Sequence, residues 1–113
     1  MDIHKAADML AQLGNPTRLR VVRFLVRAGH GGLPVGRIQE ELDIPASTLT
    51  HHLNHLKAAG LLRQTRKKTN LWCRVDFQRL NEVSSFLMEE CCSEILEEHR
   101  EEMVHRVQSI SAA

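Results

Sequence analysis

The spacing of hydrophobic positions predicts helices from the first residues of the chain. Apolar side chains recur every three or four residues over Ile3–Leu13, which is the period of an amphipathic helix. A second helix is predicted to begin at Asn15 and Pro16, because Asn15 can cap the first turn and Pro16 suits the first helical position. Both helices fall within residues 3–30. Residues 29–34 hold three glycines and a proline and are predicted to form a loop.

Residues 35–60 have the pattern of a helix-turn-helix. The first of its two helices is short and ends near Asp43, where the apolar spacing breaks. The second covers residues 46–59, with Pro45 at its start and Gly60 directly after its end. The sequence therefore predicts two short helices joined by a tight turn.

Residues 61–76 have the pattern of a β-hairpin. Two strands are predicted, Leu61–Arg66 and Asn70–Asp76, and the polar residues 67–69 form the tip between them. Because side chains alternate along a strand, Cys73 falls on the inward, apolar face of the second strand. This hairpin is the expected wing of a winged helix-turn-helix.

Residues 78–110 return to helical spacing and carry two neighbouring apolar stripes. So broad an apolar face has little chain left to cover it, so a partner helix is expected. Residues 1–113 are thus predicted to form a single domain that is mainly α with a two-stranded β-hairpin. Dimerisation is expected through the first and last helices.

The composition is that of an ordinary folded domain. Apolar residues make up 42% and charged residues 26% of the 113 residues, which suits one modest core. No apolar run approaches the roughly 20 residues of a membrane span, and residues 1–4 lack the pattern of a signal peptide. A soluble, cytoplasmic protein with no membrane partner is expected.

The formal net charge of +1 hides an uneven distribution of charge. Residues 1–79 contain 13 Lys and Arg against 6 Asp and Glu, whereas residues 80–113 contain 2 against 8. The basic part can lie on phosphates while the acidic part faces elsewhere. The pattern favours nucleic acid as a partner of the first part of the chain.

The second helix of the predicted helix-turn-helix has the polar face that a DNA-reading helix needs. Residues 46–59 offer donors and acceptors without a carboxylate, and a leucine stripe marks the opposite face. The basic hairpin tip can add phosphate contacts that do not depend on base sequence. The candidate DNA-binding residues are Ser47, Thr48, Thr50, His51, His52, Asn54, His55, Lys57, Arg66, Lys67 and Lys68.

Two segments of the chain carry a resemblance to a known family. Residues 42–61 have the sequence LDIPASTLTHHLNHLKAAGL, which looks like the recognition segment of the ArsR/SmtB family of bacterial metal-responsive repressors. Asn15–Arg20 resembles the opening of its second helix. The resemblance implies a winged helix fold, a homodimer made by the first and last helices, and repression at double-stranded operator DNA that an inducer relieves.

Three cysteines, Cys73, Cys91 and Cys92, are the candidate metal ligands. Thiolates prefer soft ions such as trivalent arsenic, antimony, cadmium, copper(I) or zinc, and trivalent arsenic takes three sulfurs in a pyramid. Because cysteine is often buried, packing is the alternative for all three and the favoured role for Cys73. Phe86–Cys92 resembles the start of the last helix in arsenic-responsive members, which implies trivalent arsenic or antimony as inducer and no constitutive cofactor. Those members carry a further cysteine soon after the pair, and this chain does not.

Two other functions are open on the sequence alone. A thiol-redox sensor of the same fold would form a disulfide or persulfide at Cys91 or Cys92, with Cys73 or the other subunit as partner. A protein-interaction module that does not bind DNA would explain the helices but would leave the basic hairpin tip unexplained. An enzyme is not expected, because three of the seven histidines fall in the recognition helix and no catalytic motif is present.

Overall fold

A computed structural model describes residues 1–95, and the predicted order of helices and hairpin is confirmed in them. The elements are α1 Ile3–Leu13, α2 Pro16–Ala28, β1 Leu33–Pro34, α3 Val35–Leu42, α4 Ala46–Ala58, β2 Leu62–Lys67, β3 Asn70–Val75 and α5 Phe77–Met88. Among these residues no helix combines the length and apolar character of a bilayer-spanning segment.

Side-chain caps define where three of the helices begin. Asn15 accepts a hydrogen bond from the Arg18 N–H at 3.1 Å, so the predicted cap of α2 is confirmed. Asp2 caps α1 in the same way. Asp76 caps α5 by accepting from the Arg79 N–H at 3.1 Å. Each cap satisfies an N–H group that a helix leaves without an internal partner.

The sheet has three antiparallel strands in the order β1-β3-β2, one more than the predicted hairpin. Leu62 pairs with Val75 in the hairpin, and on the other edge of β3 Leu33 pairs with Cys73. The prediction of a loop over residues 29–34 is therefore wrong for Leu33 and Pro34, which form β1. Two residues are too short a run to produce a strand signal, because the β1 pairing depends on β3, far along the chain.

Gly32 permits the close approach of β1 to β3. Its φ of 71° lies in the left-handed region, and a Cβ at this position would overlap the carbonyl oxygen of Cys73. Only glycine combines that backbone conformation with the space that the neighbouring strand leaves. The residue thus joins the loop after α2 to the wing.

One apolar core lies between the helices and the inner face of the sheet. The leucine stripe of α4 is fully buried in it, as its spacing predicts, and so is Cys73. Its members are Ala6, Met9, Val21, Val22, Leu25, Ile38, Leu49, Leu53, Leu56, Ala59, Leu61, Leu62, Cys73, Val75 and Val83. All the helices and both strands of the hairpin contribute to it, so it fixes their relative positions.

The last helix is shorter than its sequence pattern predicts. The spacing predicts a helix over 78–110, whereas α5 ends at Met88 and residues 89–95 form turns. Helices in proteins owe most of their stability to the packing of an apolar face, and Leu87 and Met88 are 61% and 53% exposed in the single chain. The predicted residues 96–110 of this helix lie outside the described residues.

The contact at Gly32 predicts that Gly32→Ala destabilises the fold by at least about 2 kcal/mol, because left-handed strain and overlap with β3 add together. Two matched variants separate these causes. Gly29→Ala, with φ of 80° and ψ of −163° but open space, should cost only the backbone strain of roughly 1–3 kcal/mol. Gly36→Ala, in the open within α3, should stabilise by up to about 1 kcal/mol. Urea unfolding followed by circular dichroism measures all three, and equal losses for Gly32→Ala and Gly29→Ala would contradict the overlap.

Candidate nucleic-acid interface

A tight turn sets the angle between α3 and α4. Asp43 ends α3 in the left-handed region with a φ of 50°. The N–H of Ile44 then donates to the carbonyl of Gln39 at 3.4 Å, and Pro45 opens α4. The predicted helix-turn-helix is confirmed with nearly the predicted bounds, because Asp43, Pro45 and Gly60 mark the ends of its helices in the sequence itself.

The leucine stripe turns the polar face of α4 to solvent. Leu49, Leu53 and Leu56 are buried where α4 contacts α1, α2 and β2. The candidate DNA-binding residues of α4 are on the exposed side, and only two of them are half-buried, His52 and His55. The exposed ones are Ser47, Thr48, Thr50, His51, Asn54 and Lys57. The Thr50 hydroxyl donates to the carbonyl of Ala46 at 2.9 Å, so it is partly engaged by its own helix.

His52 differs from the other candidates because it is held by α2. The Arg18 Nε donates to His52 Nδ1 at 3.2 Å, and the other end of the Arg18 guanidinium donates to Gln12 Oε1 at 2.7 Å. Burial and the Arg18 charge lower the pKa of His52 below its ordinary value of 6.5, which favours the neutral ring that can accept this bond. His52 therefore positions α4 against α2. Arg18 was not among the predicted site residues, since its contact spans 34 positions of the chain.

His51 and His55 lie one helical turn apart and contact each other. Their Nε2 atoms are 3.2 Å apart, and their rings meet edge to face with centroids separated by 4.5 Å. The i, i+4 spacing on a helix brings such side chains together. The outer face of α4 thus carries a paired imidazole group.

A hydrogen-bonded link joins the end of α4 to the wing. The Lys57 Nζ donates to Gln64 Oε1 at 3.0 Å, and Gln64 Nε2 donates to the buried Cys73 Sγ at 3.4 Å. Gln64 therefore connects the recognition helix with both strands of the hairpin. It was missed as a site residue, because a single amide on a strand gives no sequence signal.

The wing carries its basic residues at the exposed end. Arg66, Lys67 and Lys68 are all exposed, and Lys68 takes a φ of 57° in the turn between the strands. The Lys67 ammonium lies 4.7 Å from the centroid of the Trp72 ring, a cation–π distance. The wing therefore presents a cluster of positive charge, with Lys67 partly oriented by an aromatic ring.

An ion pair holds the base of the wing to α5. Arg63 Nε lies 2.9 Å from Asp76 Oδ2. Burial opposes ionisation of Asp76, but the Arg79 N–H and the Arg63 guanidinium outweigh it and lower the pKa of this carboxyl group. The wing and the start of α5 are thus joined at the residue that also caps the helix.

The predicted thiol ligands lie in two different environments. Cys73 is fully buried, and burial raises the pKa of its thiol. Cys91 is exposed after the end of α5, and its Sγ lies 3.2 Å from the Sγ of Cys92. The backbone of Cys92 has a φ of 66°. Within residues 1–95 no three His, Cys, Asp or Glu side chains are grouped for a shared metal ion. The structure brings the cysteine pair together but does not bring Cys73 to it.

A helix-turn-helix packed on the core, a recognition helix with an exposed polar face and a basic hairpin beside it define a winged helix-turn-helix DNA-binding protein. Residues 13–65 match a family model described as a helix-turn-helix domain. The helix-turn-helix-type transcriptional regulator MJ1325 of Methanocaldococcus jannaschii is 39% identical over 80 residues, which cover 70% of this chain and 86% of that protein. The chain belongs to the helix-turn-helix-type transcriptional regulators, and its fold is that of solved ArsR-family regulators.

Solved structures share this fold. One, described as a possible transcriptional regulator for arsenical resistance, is 26% identical with a TM-score of 0.63, covering 71% of this chain and 80% of that one. Another is the homodimeric winged helix-turn-helix domain of Mb0332 from Mycobacterium bovis, a possible ArsR-family regulator. It is 24% identical with a TM-score of 0.62, covering 78% of this chain and 82% of that domain. As predicted, the matched family is one of transcriptional regulators and not of enzymes. The alternative of a protein-interaction module that does not bind DNA is not supported by these matches.

The geometry of α4 and the wing predicts two kinds of loss in DNA binding. Thr48→Ala and His51→Ala should each weaken specific binding by roughly 1–3 kcal/mol, because both side chains are exposed on the recognition face. Lys67→Ala and Lys68→Ala should instead lower affinity for every sequence and flatten its salt dependence.

Fluorescence anisotropy with an operator fragment and an unrelated duplex, each at several salt concentrations, distinguishes the two effects. Lys5→Ala is the matched control, since it removes one positive charge from the exposed side of α1. Wild-type operator affinity after replacement of both Thr48 and His51 would contradict the assignment.

Proposed function

We propose that the protein is a repressor that binds operator DNA as a homodimer and is released when trivalent arsenic or antimony binds Cys91 and Cys92. The observation that carries this proposal is the cysteine pair itself, with two sulfurs 3.2 Å apart and Cys91 exposed. Thiolates in such an arrangement select soft ions. An ion in solution can reach this pair without opening the core.

The separation of the sulfurs supports a pyramidal ion. With ion–sulfur bonds of about 2.3 Å, two sulfurs 3.2 Å apart subtend an angle of about 90° at the ion. A tetrahedral ion needs a wider angle, whereas a three-coordinate pyramidal ion accepts a narrow one. Because Cys73 is buried away from the pair, the third ligand comes from solvent, a further group of this chain or the other subunit.

The position of the pair supports a coupling to DNA binding. Cys91 follows α5 closely, α5 packs against α1, and α1 packs against the recognition helix α4. An ion that pulls on the end of α5 therefore acts on elements that share one core with α4. The ion shifts the equilibrium between the DNA-binding and non-binding arrangements only by the difference in its affinity for the two.

Exposed apolar side chains on α1 and α5 support the homodimer. Ile3 is 62% exposed, and Leu87 and Met88 at the end of α5 are more than half exposed. Large apolar side chains at the ends of two neighbouring helices are typical of a surface that a partner covers. The related Mb0332 domain is homodimeric, which agrees with a shared mode of assembly.

Sedimentation at micromolar concentration should find a dimer whose recognition helices address half-sites about one helical turn apart. Ile3→Asp and Leu87→Asp should shift it toward monomer, because a carboxylate in an apolar interface loses its hydration. Val26→Asp, at a 39% exposed apolar position of α2, is the matched control and should remain dimeric. A monomeric wild-type protein that binds a single half-site tightly would contradict the proposal.

Cys91→Ser and Cys92→Ser should each retain operator binding but lose release by arsenite. In the wild-type protein arsenite should lower operator affinity about 5–150-fold, the usual range of coupling between two sites. Cys73→Ser is the matched thiol control: it preserves an acceptor for Gln64 and should cost mainly stability. Operator titrations with and without arsenite measure this, and release of the Cys91→Ser, Cys92→Ser double variant at the wild-type arsenite concentration would exclude the pair as the sensor.

A thiol-redox sensor is the second candidate, favoured by the exposure of Cys91 beside a second sulfur. Oxidation there would join Cys91 or Cys92 to a cysteine of the other subunit, because Cys73 is buried and its thiol pKa is raised. Release from operator by polysulfide or peroxide, with no response to arsenite, would support this candidate over the first.

A further inference from the structure

We propose that His51 and His55 form a second metal site, for a divalent ion that prefers imidazole, such as Zn²⁺, on the DNA-reading face of α4. The site is separate from the cysteine pair and uses none of its residues. Because it occupies the recognition face, an ion bound there competes with operator DNA. The protein would then hold a divalent ion through imidazole nitrogens as well as a soft ion through the cysteine pair.

The two imidazoles already have the spacing of a chelate. Their Nε2 atoms are 3.2 Å apart, and with Zn–N bonds of about 2.05 Å they subtend roughly 100° at an ion between them. This angle is close to tetrahedral. Histidines at positions i and i+4 of a helix are a common way to present two ligands to zinc. Small rotations of the rings are enough to aim both nitrogens at one ion.

The surroundings leave this site open to solvent. His51 is exposed and His55 is half-buried, so an ion can reach the pair from the His51 side without opening the core. The adjacent His52 is directed to Arg18 and is engaged there, so it does not act as a third ligand. No carboxylate occurs in α4, and the remaining positions on the ion are left to water. The expected site is therefore of moderate affinity and exchanges readily.

Competition with DNA follows from the shared side chains. An ion held by His51 and His55 carries water and positive charge over the surface that meets the base edges, and it fixes both rings away from them. If metal lowers operator affinity by some factor, operator lowers metal affinity by the same factor. Titration of operator with and without metal, and titration of metal with and without operator, therefore measure the same coupling free energy.

Zn²⁺ titrations of the full chain by isothermal calorimetry test the site, with Cys91→Ser and Cys92→Ser in every sample to remove the thiols. Zinc is the probe because it has no redox chemistry. His51→Ala and His55→Ala should each weaken one binding event about tenfold or more, at least the loss seen when outer-shell partners of a metal are removed. His4→Ala, an exposed histidine of α1, is the matched control and should leave that event unchanged.

Two further readouts do not depend on the stability of a variant. In nuclear magnetic resonance spectra, the Nε2 resonances of two histidines should shift together as Zn²⁺ is added. In calorimetry, saturating operator should weaken Zn²⁺ binding at this pair. Unchanged Zn²⁺ affinity in both His51→Ala and His55→Ala would overturn the proposal. Simultaneous binding of Zn²⁺ and operator, with neither affecting the other, would also overturn it.

Discussion

Burial of the leucine stripe on α4 is the interaction on which the DNA-reading surface depends. Leu49, Leu53 and Leu56 are at most 2% exposed, and each such burial contributes about 1.5–3 kcal/mol. Because these side chains alternate with the polar face at helical spacing, their burial also fixes which residues face outward. The same stripe joins α4 to α1, α2 and β2, so the recognition helix cannot rotate without opening the core.

Local chemistry explains which parts of the fold the sequence predicts. Asn15, Pro45 and Gly60 mark helix ends by themselves, since a cap or a left-handed residue acts on its immediate neighbours. The missed features depend on residues far apart in the chain. β1 exists only through pairing with β3, and the Arg18 contact with His52 joins two helices. The wrong prediction of helix over residues 89–95 has the same origin, because spacing alone does not say what covers an apolar stripe.

The cysteines illustrate how burial separates groups of identical chemistry. Cys73 lies in the core, where desolvation favours the neutral thiol and Gln64 is its polar neighbour. Cys91 lies on the surface beside a second sulfur. Strand alternation predicted the burial of Cys73, whereas the apolar spacing placed Cys91 and Cys92 within a longer last helix and did not predict the exposure of Cys91 after the end of α5. The three cysteines are therefore an adjacent pair after α5 and one packing residue of the core.

The link from Lys57 through Gln64 to Cys73 limits how the recognition helix can be redesigned for a new operator. Positions 48, 51 and 54 have exposed side chains that the core does not use, so they can be exchanged without loss of packing. Position 57 is different, because its ammonium also holds the wing through Gln64. A helix transplanted from another regulator without a donor at this place would lose the hydrogen bond that links its end to Gln64 of the wing. Specificity and wing placement are thus encoded on the same helix but at separable positions.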